Sequence, residues 1–366
     1  MLRRKQFGAG LLFPLISSFF PKRDGWAEEK IIDERKISLM KIKILTETEL
    51  RKVIEINTEL IDAIEGGFSR LSQGQVTMPP IMRVDFPEVK GEVDVKSAAV
   101  HGLDSFAIKV SSGFFENSKL GLSSLSGMMT LFSAKTGVPQ AVLLDNGYLT
   151  DIRTGAAGAV AARHLTRENV ETVGVIGAGA QARYQMIGLK QVRNFKRLLV
   201  YSLEGMDAYV DEMPDVLGVE VLPMDSVEAV VRESEIIVTT TPSKKPYLKA
   251  EWLHPGLHIT SMGADAEGKQ ELYAETLGRA DLYVCDNRNQ VFRLGEAHHA
   301  LEAGIFSSQE NAVELGEIIS DQHPGRTSEE QITICDLTGT GMQDTVIATL
   351  AYQKAMEKGM GLEIES

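Results

Sequence analysis

One short motif constrains the fold of this chain more than any other feature: residues 177–182 read Gly-Ala-Gly-Ala-Gln-Ala and follow the apolar run 172–176. Gly177 permits a tight turn, Gly179 lets the backbone approach a pyrophosphate, and Ala182 is small enough for a helix to pack on the strand. A helix that begins here directs free N–H groups and its positive dipole end toward phosphate. The motif predicts a dinucleotide site on a doubly wound parallel sheet, and a structural glycine turn is the alternative.

The segments around the motif predict two kinds of sheet. Short apolar runs separated by helical patterns predict a parallel sheet covered on both faces. They are residues 173–176, 198–201, 236–239, 257–261, 281–285 and 332–335. Residues 79–145 instead carry β-rich runs with a turn at 135–137, which is typical of a mostly antiparallel sheet.

Helical patterns flank both regions. Thr46 and Glu49 have capping-box spacing, and the apolar periodicity that follows them predicts two linked helices. The alanine-rich segment 150–165 predicts a helix buried between domains. A last helix over residues 343–358 is expected to fold back onto the first domain.

We therefore predict an α/β protein with a Rossmann doubly wound parallel sheet and a discontinuous α+β domain. Residues 161–335 would form the dinucleotide-binding domain, and residues 40–160 with 336–366 the substrate-binding domain. Residues 1–39 combine basic residues with an interrupted apolar run, so they are either a leader or an upstream extension. We favour the extension and expect a cytoplasmic protein.

Composition narrows the partners. The formal net charge is −13, with acidic residues spread along the chain, which argues against a nucleic-acid partner. No stretch is long and apolar enough to predict a transmembrane helix, so no membrane partner is expected. The two cysteines, Cys285 and Cys335, are far apart and predict buried thiols in a reducing compartment. A small-molecule ligand is the best expectation.

The position that usually reads the cofactor ribose, at the end of the second strand of the fold, holds Ser202. No Arg or Lys follows nearby to hold a 2′-phosphate, and Glu204 could reach the ribose. NAD and NADP both stay open, and we favour NAD. Threonines 239–241 should lie at the carboxyl edge of the sheet, as ligand contacts or as a plain turn. The predicted cofactor-binding residues are Thr154, Gly177, Gly179, Ala180, Gln181, Ser202, Thr240, Thr241, Met262, Thr338 and Gly339.

Three cations, Arg83, Lys109 and Arg153, lie among apolar or small residues. Each taken singly is more often part of a structural ion pair, but together they would form a carboxylate-binding cluster. Asp265 lies on a glycine-flanked loop and is a candidate acid or base, or an Asx turn. The glycine-rich loop 336–344 could cover a nicotinamide.

These motifs, in this order, resemble the ornithine cyclodeaminase and mu-crystallin family from Met40 to the end of the chain. The resemblance implies a Rossmann domain and a homodimer formed through the sheet domain. It also implies that Arg83, Lys109 and Arg153 hold a substrate carboxylate. Asp265 would act in proton transfer or water activation near the α-carbon.

One departure from the family concerns the strand before Lys109. Ornithine cyclodeaminases carry a glutamate there, whereas this sequence places Lys96 at that position, unless Asp94 takes the glutamate's place. A lysine would repel the ammonium group of ornithine and suit a second carboxylate. Residues 94–115 resemble the branch with iminosuccinate reductases and ectoine-utilisation proteins. On an alternating strand, Lys96 could equally face solvent.

The resemblance and the cations together lead to an enzyme hypothesis: an NAD(P)H-dependent reductase of an α-imino acid, such as iminosuccinate, to an amino acid. Arg83, Lys109 and Arg153 would bind the α-carboxylate, Lys96 a second carboxylate, and Lys109 or Asp265 would manage the imine proton. One alternative is a cyclodeaminase that holds NAD tightly and releases ammonia. Another is a mu-crystallin-like protein that binds a ligand together with NADPH.

Overall fold

The computed structural model describes residues 40–365, and the predicted leader or extension lies outside the described residues. The strands in chain order are β1 (Lys41–Thr46), β2 (Val76–Thr77), β3 (Met82–Phe86), β4 (Gly91–Val100), β5 (Ser105–Phe114), β6 (Leu125–Ser133), β7 (Pro139–Leu144), β8 (Thr172–Ile176), β9 (Arg197–Tyr201), β10 (Glu220–Pro223), β11 (Ile236–Thr239), β12 (His258–Ser261), β13 (Leu282–Cys285), β14 (Val313–Glu314), β15 (Thr333–Asp336) and β16 (Leu362–Glu365). The α-helices are α1 (Glu47–Leu50), α2 (Thr58–Ser72), α3 (Tyr148–Leu165), α4 (Ala180–Val192), α5 (Met206–Leu217), α6 (Val227–Glu233), α7 (Ala274–Leu277), α8 (Arg288–Leu294), α9 (Glu296–Glu302), α10 (Leu315–Ile319) and α11 (Gly341–Glu357).

The first sheet has the order β16-β1-β7-β6-β5-β4-β2, with β3 also paired to β4. Its pairs are antiparallel except for β1 with β7, which confirms the mostly antiparallel sheet. Alternation sets its two faces: on β5 and β6, Ala107, Lys109, Met129 and Leu131 are buried, while the residues between them are partly exposed. The sheet therefore has an inner face and an outer face.

The second sheet has the order β10-β9-β8-β11-β12-β15-β13-β14 and is parallel throughout. Its central strands are buried along their whole length, as a sheet covered by helices on both faces requires. The order reverses beside β8, and ligands of doubly wound sheets bind at that switch point. This confirms the Rossmann sheet, although sequence patterning does not predict the short edge strands β10 and β14.

Helices α2, α3 and α11 form a hydrophobic core with the inner face of the first sheet. The predicted capping box at Thr46 is present, but α1 has only four residues. In α2, the side chains of Leu60, Ile61, Ile64 and Phe68 are each 0% exposed. Burying each such side chain stabilises the fold by about 1.5–3 kcal/mol.

The last helix returns to the first sheet, as predicted. The Thr345 hydroxyl in α11 donates to the Ala98 carbonyl at 2.7 Å and accepts from the Ala107 N–H at 3.1 Å. These bonds attach α11 to β4 and β5. We keep the domain division at residues 160/161 and 335/336 as a proposal, because the first sheet draws its strands from both sides of the second.

Cys285 and Cys335 are buried free thiols, as the sequence predicts. No helix between residues 40 and 365 combines the length and the apolarity that a membrane crossing demands.

Candidate functional site

A cavity of about 570 Å³ lies where the carboxyl ends of the parallel strands meet the inner face of the first sheet. Its walls come from β4, β5, α3, the loop that begins α4, and the loops after β11, β12 and β15. Ligand sites in proteins are typically concave and few in number, so this cavity is the natural candidate for the site.

The glycine motif has the shape that a pyrophosphate needs. Gly177 has φ +107°, and a Cβ built on it would lie 2.6 Å from the Thr240 hydroxyl oxygen. Gly179 is the N-cap of the 13-residue helix α4, and the space where its Cβ would be is open. The open N-terminus of α4 therefore faces a cradle that side chains would fill, so these residues fit a dinucleotide pyrophosphate.

The end of β9 is suited to a ribose without a phosphate. Ser202 donates its hydroxyl to the Glu204 carbonyl at 2.7 Å, and the Glu204 side chain is exposed. The sequence between residues 198 and 231 contains no Lys or Arg. A 2′-phosphate would meet carboxylates there, so the residues fit NAD better than NADP.

Three of the predicted cations do come together in the cavity. Lys96 on β4 lies directly opposite Lys109 on β5 in the antiparallel register, and both side chains are on the inner face. Arg153 reaches the same point from α3. The residues are only 7%, 2% and 4% exposed for Lys96, Lys109 and Arg153.

Asp344, on the first turn of α11, is the counter-ion of two of these cations. Its carboxylate lies 3.0 Å from Lys109 Nζ and 2.9 Å from Arg153 Nε, and it is 0% exposed. Burial alone would raise the pKa of Asp344, but Arg153 and Lys109 hold it below its ordinary value. Burial also lowers the pKa of Lys109 to about 7, against the attraction of Asp344 and with the help of Arg153 and Lys96.

Lys96 is not a solvent-facing residue. Its ammonium donates to the main-chain carbonyl of Gly339 at 3.1 Å and, more weakly, to that of Thr338 at 3.5 Å. Because an ammonium has three N–H groups, one stays available to a ligand. Asp94, the alternative to Lys96, also lines the cavity and lies 3.7 Å from Arg83, and burial raises its pKa.

Asp265 is paired with a lysine that sequence reasoning did not single out. Lys269 Nζ lies 2.8 Å from its carboxylate, and both residues line the cavity. Burial opposes ionisation of Asp265, but Lys269 and Lys96 together hold its pKa below the ordinary value. Asp265 is therefore a carboxylate at neutral pH.

Arg83 does not join the other cations. It lies on the edge strand β3, where its guanidinium pairs with Asp85 and Glu92, and it is absent from the cavity wall within the described residues. The acids opposite it on β4 hold it at the rim, so the structure does not bring it to the predicted carboxylate cluster. Its partners Glu92 and Asp94 do line the cavity, so the Arg83 guanidinium lies next to the wall, paired with acids rather than grouped with the other cations.

Most of the predicted cofactor residues line the cavity: Thr154, Gly179, Ala180, Gln181, Thr240, Met262, Thr338 and Gly339. Gly177, Ser202 and Thr241 do not line it. The Thr241 hydroxyl and the Thr239 hydroxyl both donate to Glu271, which is fully buried and also accepts from the Gly263 N–H. Thr241 thus joins the loops after β11 and β12 through Glu271 rather than facing a ligand.

Two further site residues come from the loop that opens α11. Gln343 accepts from Arg153 Nη1 at 2.7 Å and from the Thr340 N–H at 3.1 Å, so it holds the guanidinium from the side opposite Asp344. The only sequence signal for Gln343 and Asp344 was their place in the predicted strand-end glycine loop. A glutamine or aspartate on a first helical turn is more often a cap, which hid their role.

Comparison with known proteins places nearly all of the described chain in one family. The model of the ornithine cyclodeaminase/mu-crystallin family matches residues 40–359. A Rhizobium meliloti protein named as a dehydrogenase is 49% identical over 330 residues, which are 90% of this chain and 100% of that protein.

Solved structures show the same fold over the same length. Thermococcus litoralis Δ1-pyrroline-2-carboxylate reductase, in complex with NADH and L-proline, has a TM-score of 0.83 and 30% identity, covering 88% of this chain and 100% of that one. An archaeal alanine dehydrogenase dimer with bound NAD has a TM-score of 0.83 and 34% identity, covering 89% and 99%. The iminosuccinate reductase of Paracoccus denitrificans with NAD+ has a TM-score of 0.82 and 27% identity, covering 89% and 100%. The chain belongs to the ornithine cyclodeaminase/mu-crystallin family.

Proposed function

We propose that this protein is an NAD(P)H-dependent reductase that converts an α-imino acid into the corresponding α-amino acid, with NAD(H) as the favoured cofactor. One observation carries the proposal: Lys96, Lys109 and Arg153 are buried together beside the dinucleotide loop, and Asp344 pairs with Lys109 and Arg153. Cations that converge on a cavity are suited to bind an anionic group of a ligand. A substrate carboxylate fits both the charge and the planar guanidinium.

The proposed chemistry divides between cofactor and protein. A bound reduced nicotinamide supplies a hydride to the imine carbon. Lys109, with a pKa of about 7, supplies the proton that the imine nitrogen takes up, because it can exist in both protonation states at neutral pH. Asp265 stays ionised and would accept a hydrogen bond from the substrate nitrogen, which orients it.

The family's relatives support this class of reaction. Alanine dehydrogenase, Δ1-pyrroline-2-carboxylate reductase and iminosuccinate reductase are all named for redox chemistry that joins an amino acid to its imine or keto acid. Each is similar to this chain over 88% or more of its length. Their names differ in substrate, so the substrate of this chain must come from its own cavity.

For the substrate we propose a dicarboxylic imine of the iminosuccinate type. Lys96 has a free N–H group beside Lys109 and Arg153, where the α-carboxylate would bind. A second carboxylate of the substrate would pair with this N–H group. Two of its bonds already go to the loop carbonyls, which makes the proposed contact a single one. A monocarboxylic imine would leave Lys96 with main-chain partners alone.

The test follows nicotinamide absorbance with pyruvate, glyoxylate and oxaloacetate, each with ammonium or methylamine, and with NADH or NADPH. We expect cofactor oxidation that needs both the keto acid and the amine, and is fastest with oxaloacetate and NADH. Ammonia release from ornithine without added cofactor would favour the cyclodeaminase instead. Ligand binding without turnover across the panel would favour the binding protein.

Substitution of Lys96 isolates the substrate proposal. Lys96→Met should lower kcat/KM with oxaloacetate plus ammonium, and this loss should be roughly tenfold or more larger than the loss with pyruvate plus ammonium. The reason is that one charged hydrogen bond contributes about 1.5–3 kcal/mol. Lys269→Met is the matched control: it removes a lysine of the same cavity, the partner of Asp265, and should lower kcat/KM with both substrates to the same extent. Equal losses on both substrates in Lys96→Met would remove the second carboxylate from the proposal.

We further propose a homodimer formed through the outer face of the first sheet. This face carries apolar side chains at alternate positions of neighbouring strands, namely Phe106, Ile108, Val110, Met128, Phe132, Val142 and Leu144. Contiguous apolar side chains on an outer face of a sheet are typical of a subunit interface. The dimeric archaeal alanine dehydrogenase supports the proposal.

A further inference from the structure

We infer that binding of the substrate's carboxylate draws a proton from solvent onto Lys109, and that Asp344 is the positioning residue which sets when this happens. The inference rests on the proposed function and deepens it: the carboxylate would hold the substrate in place and would also cause the proton donor, Lys109, to become protonated.

The first step of the argument is that one carboxylate serves two cations. Lys109 Nζ donates to Asp344 Oδ1 at 3.1 Å and lies 3.0 Å from Oδ2, while Arg153 Nε is 2.9 Å from Oδ1. Lys96 stands directly across the β4–β5 register from Lys109, where like charges repel. Lys109 and Arg153 therefore share one contacting carboxylate, and a third cation lies beside them.

The second step is that Lys109 is a group whose charge can change near neutral pH. Burial lowers its pKa, Asp344 opposes this effect, and Arg153 and Lys96 add to it. Four side chains surround Lys109: Asp344 on α11, Arg153 on α3, Lys96 on β4 and the apolar Met129 on β6. Asp145, at the end of β7, is the remaining carboxylate that interacts with it, and it accepts from the Leu149 N–H.

The third step is the effect of an added anion. A carboxylate bound at Arg153 adds an anion close to Lys109, so the protonated form of Lys109 becomes favourable and its nitrogen takes a proton from solvent. No covalent bond to the substrate forms in this step, and its balance is one anion bound and up to one proton taken up. Burial, opposed by Asp344 and aided by Arg153 and Lys96, puts the pKa of Lys109 at about 7 before the anion arrives, so there is a proton to gain.

The sign of the pH dependence follows from this balance. An anion that raises the pKa of Lys109 binds with proton uptake, so its affinity must fall as pH rises above about 7. The fall approaches tenfold per pH unit until the pKa of the complex is reached. If Lys109 were already protonated in the free protein, affinity would be flat over that range.

The experiment is calorimetric titration of the NADH-saturated protein with pyruvate, glyoxylate and oxaloacetate, in the absence of ammonium so that no imine forms. Titrations at pH 7.5 in two buffers of different ionisation enthalpy count the protons. We expect uptake of about 0.5–1 proton per bound keto acid. Binding with no proton uptake overturns the inference but leaves the reductase standing, whereas failure of all three keto acids to bind overturns the proposed function itself.

Three variants assign the proton. Lys109→Met should abolish the uptake, and persistence of the uptake in this variant overturns the assignment. Asp344→Asn should move the uptake to lower pH by about one unit or more, because it removes the anion that supports the protonated lysine. Lys196→Met, at an exposed lysine paired with Glu171, is the matched control and should leave the count unchanged. If Asp344→Asn does not fold, the wild-type count and Lys109→Met decide.

Discussion

At the scale of single residues, the site is defined by how each buried charge finds a partner. Arg153 is held by Asp344 on one side and by Gln343 on the other. Glycine completes this arrangement, since Gly339 has φ +78° and a Cβ built on it would lie 2.8 Å from Arg153 Nη1. The backbone of the loop therefore lies directly against the guanidinium.

Gly339→Ala should therefore weaken the site more than the fold. The added Cβ must displace the Arg153 guanidinium, and we expect kcat/KM to fall by about tenfold or more, which corresponds to ~1.4 kcal/mol. Alanine at positive φ also costs about 1–2 kcal/mol of stability. Gly137→Ala has the same backbone strain at φ +71° in an open turn, so it should lose stability and keep kcat/KM. Equal kinetic losses in both variants would contradict this account.

The pH profile of the reductase tests the role of Lys109. Because the reaction would need its protonated form and its pKa is about 7, kcat/KM should fall roughly tenfold per pH unit above that value. Lys109→Met should lower the rate by about 10²–10⁴ and flatten the profile. The measurement is the initial rate from about pH 6 to pH 9, with the imine of the panel that is reduced fastest. A wild-type profile that rises with pH would exclude Lys109 as the proton donor.

At the scale of elements, α11 links the site to the scaffold. Its first turn brings Gln343 to the cavity wall and places Asp344 against Lys109 and Arg153, and its next turn is attached to β4 and β5 through the Thr345 hydroxyl. The register between β4 and β5 places Lys96 directly opposite Lys109. Two elements distant in sequence thus set the charges of one site.

Two threonines on α11 allow the contribution of these hydrogen bonds to stability to be distinguished from that of side-chain packing. Thr345→Val leaves the Ala98 carbonyl and the Ala107 N–H without their partner, and we expect a loss of about 1–3 kcal/mol in the free energy of unfolding. Thr349 is also buried, but its hydroxyl has no partner among the described residues. Thr349→Val should therefore be neutral or stabilising in the same denaturant titration. A similar loss in both variants would show that shape, not hydrogen bonding, dominates.

At the scale of the whole molecule, two sheets divide the work. The parallel sheet presents the glycine loop at its switch point, while the inner face of the mostly antiparallel sheet presents the cations. In our proposal, the outer face of the mostly antiparallel sheet binds a partner subunit. Site and interface would then lie on opposite sides of the same strands.

The proposed interface predicts a particle of about twice the 40.1 kDa chain mass in light scattering after size exclusion. Ile108→Lys, in the middle of the outer face, should shift the protein toward the monomer, since a buried unpaired lysine costs several kcal/mol. Leu203→Lys is the control, because Leu203 is 89% exposed at the end of β9, away from that face. A monomeric wild-type protein would contradict the proposal.

Local patterns in the sequence are enough to predict the features that depend on neighbouring residues. The glycine motif, the strand alternation and the capping residues act over a few positions, so their patterns predicted the parallel sheet, the antiparallel sheet and the returning helix. The family resemblance came from the order of those motifs. Lys109, Arg153 and Asp265 are candidates because a charge in an apolar or glycine-rich setting is visible in one dimension, whereas Lys96 is a candidate only through the family resemblance.

The tertiary structure alone decided which charges meet. Lys109 and Asp344 are 235 positions apart, and no local pattern pairs them. The same holds for the exclusion of Arg83, whose partners on β4 are fixed by strand register, and for Thr241, whose hydroxyl goes to Glu271. Electrostatic interactions act through space and depend steeply on burial, so the number and balance of charges in the cavity became readable only once the chain was folded.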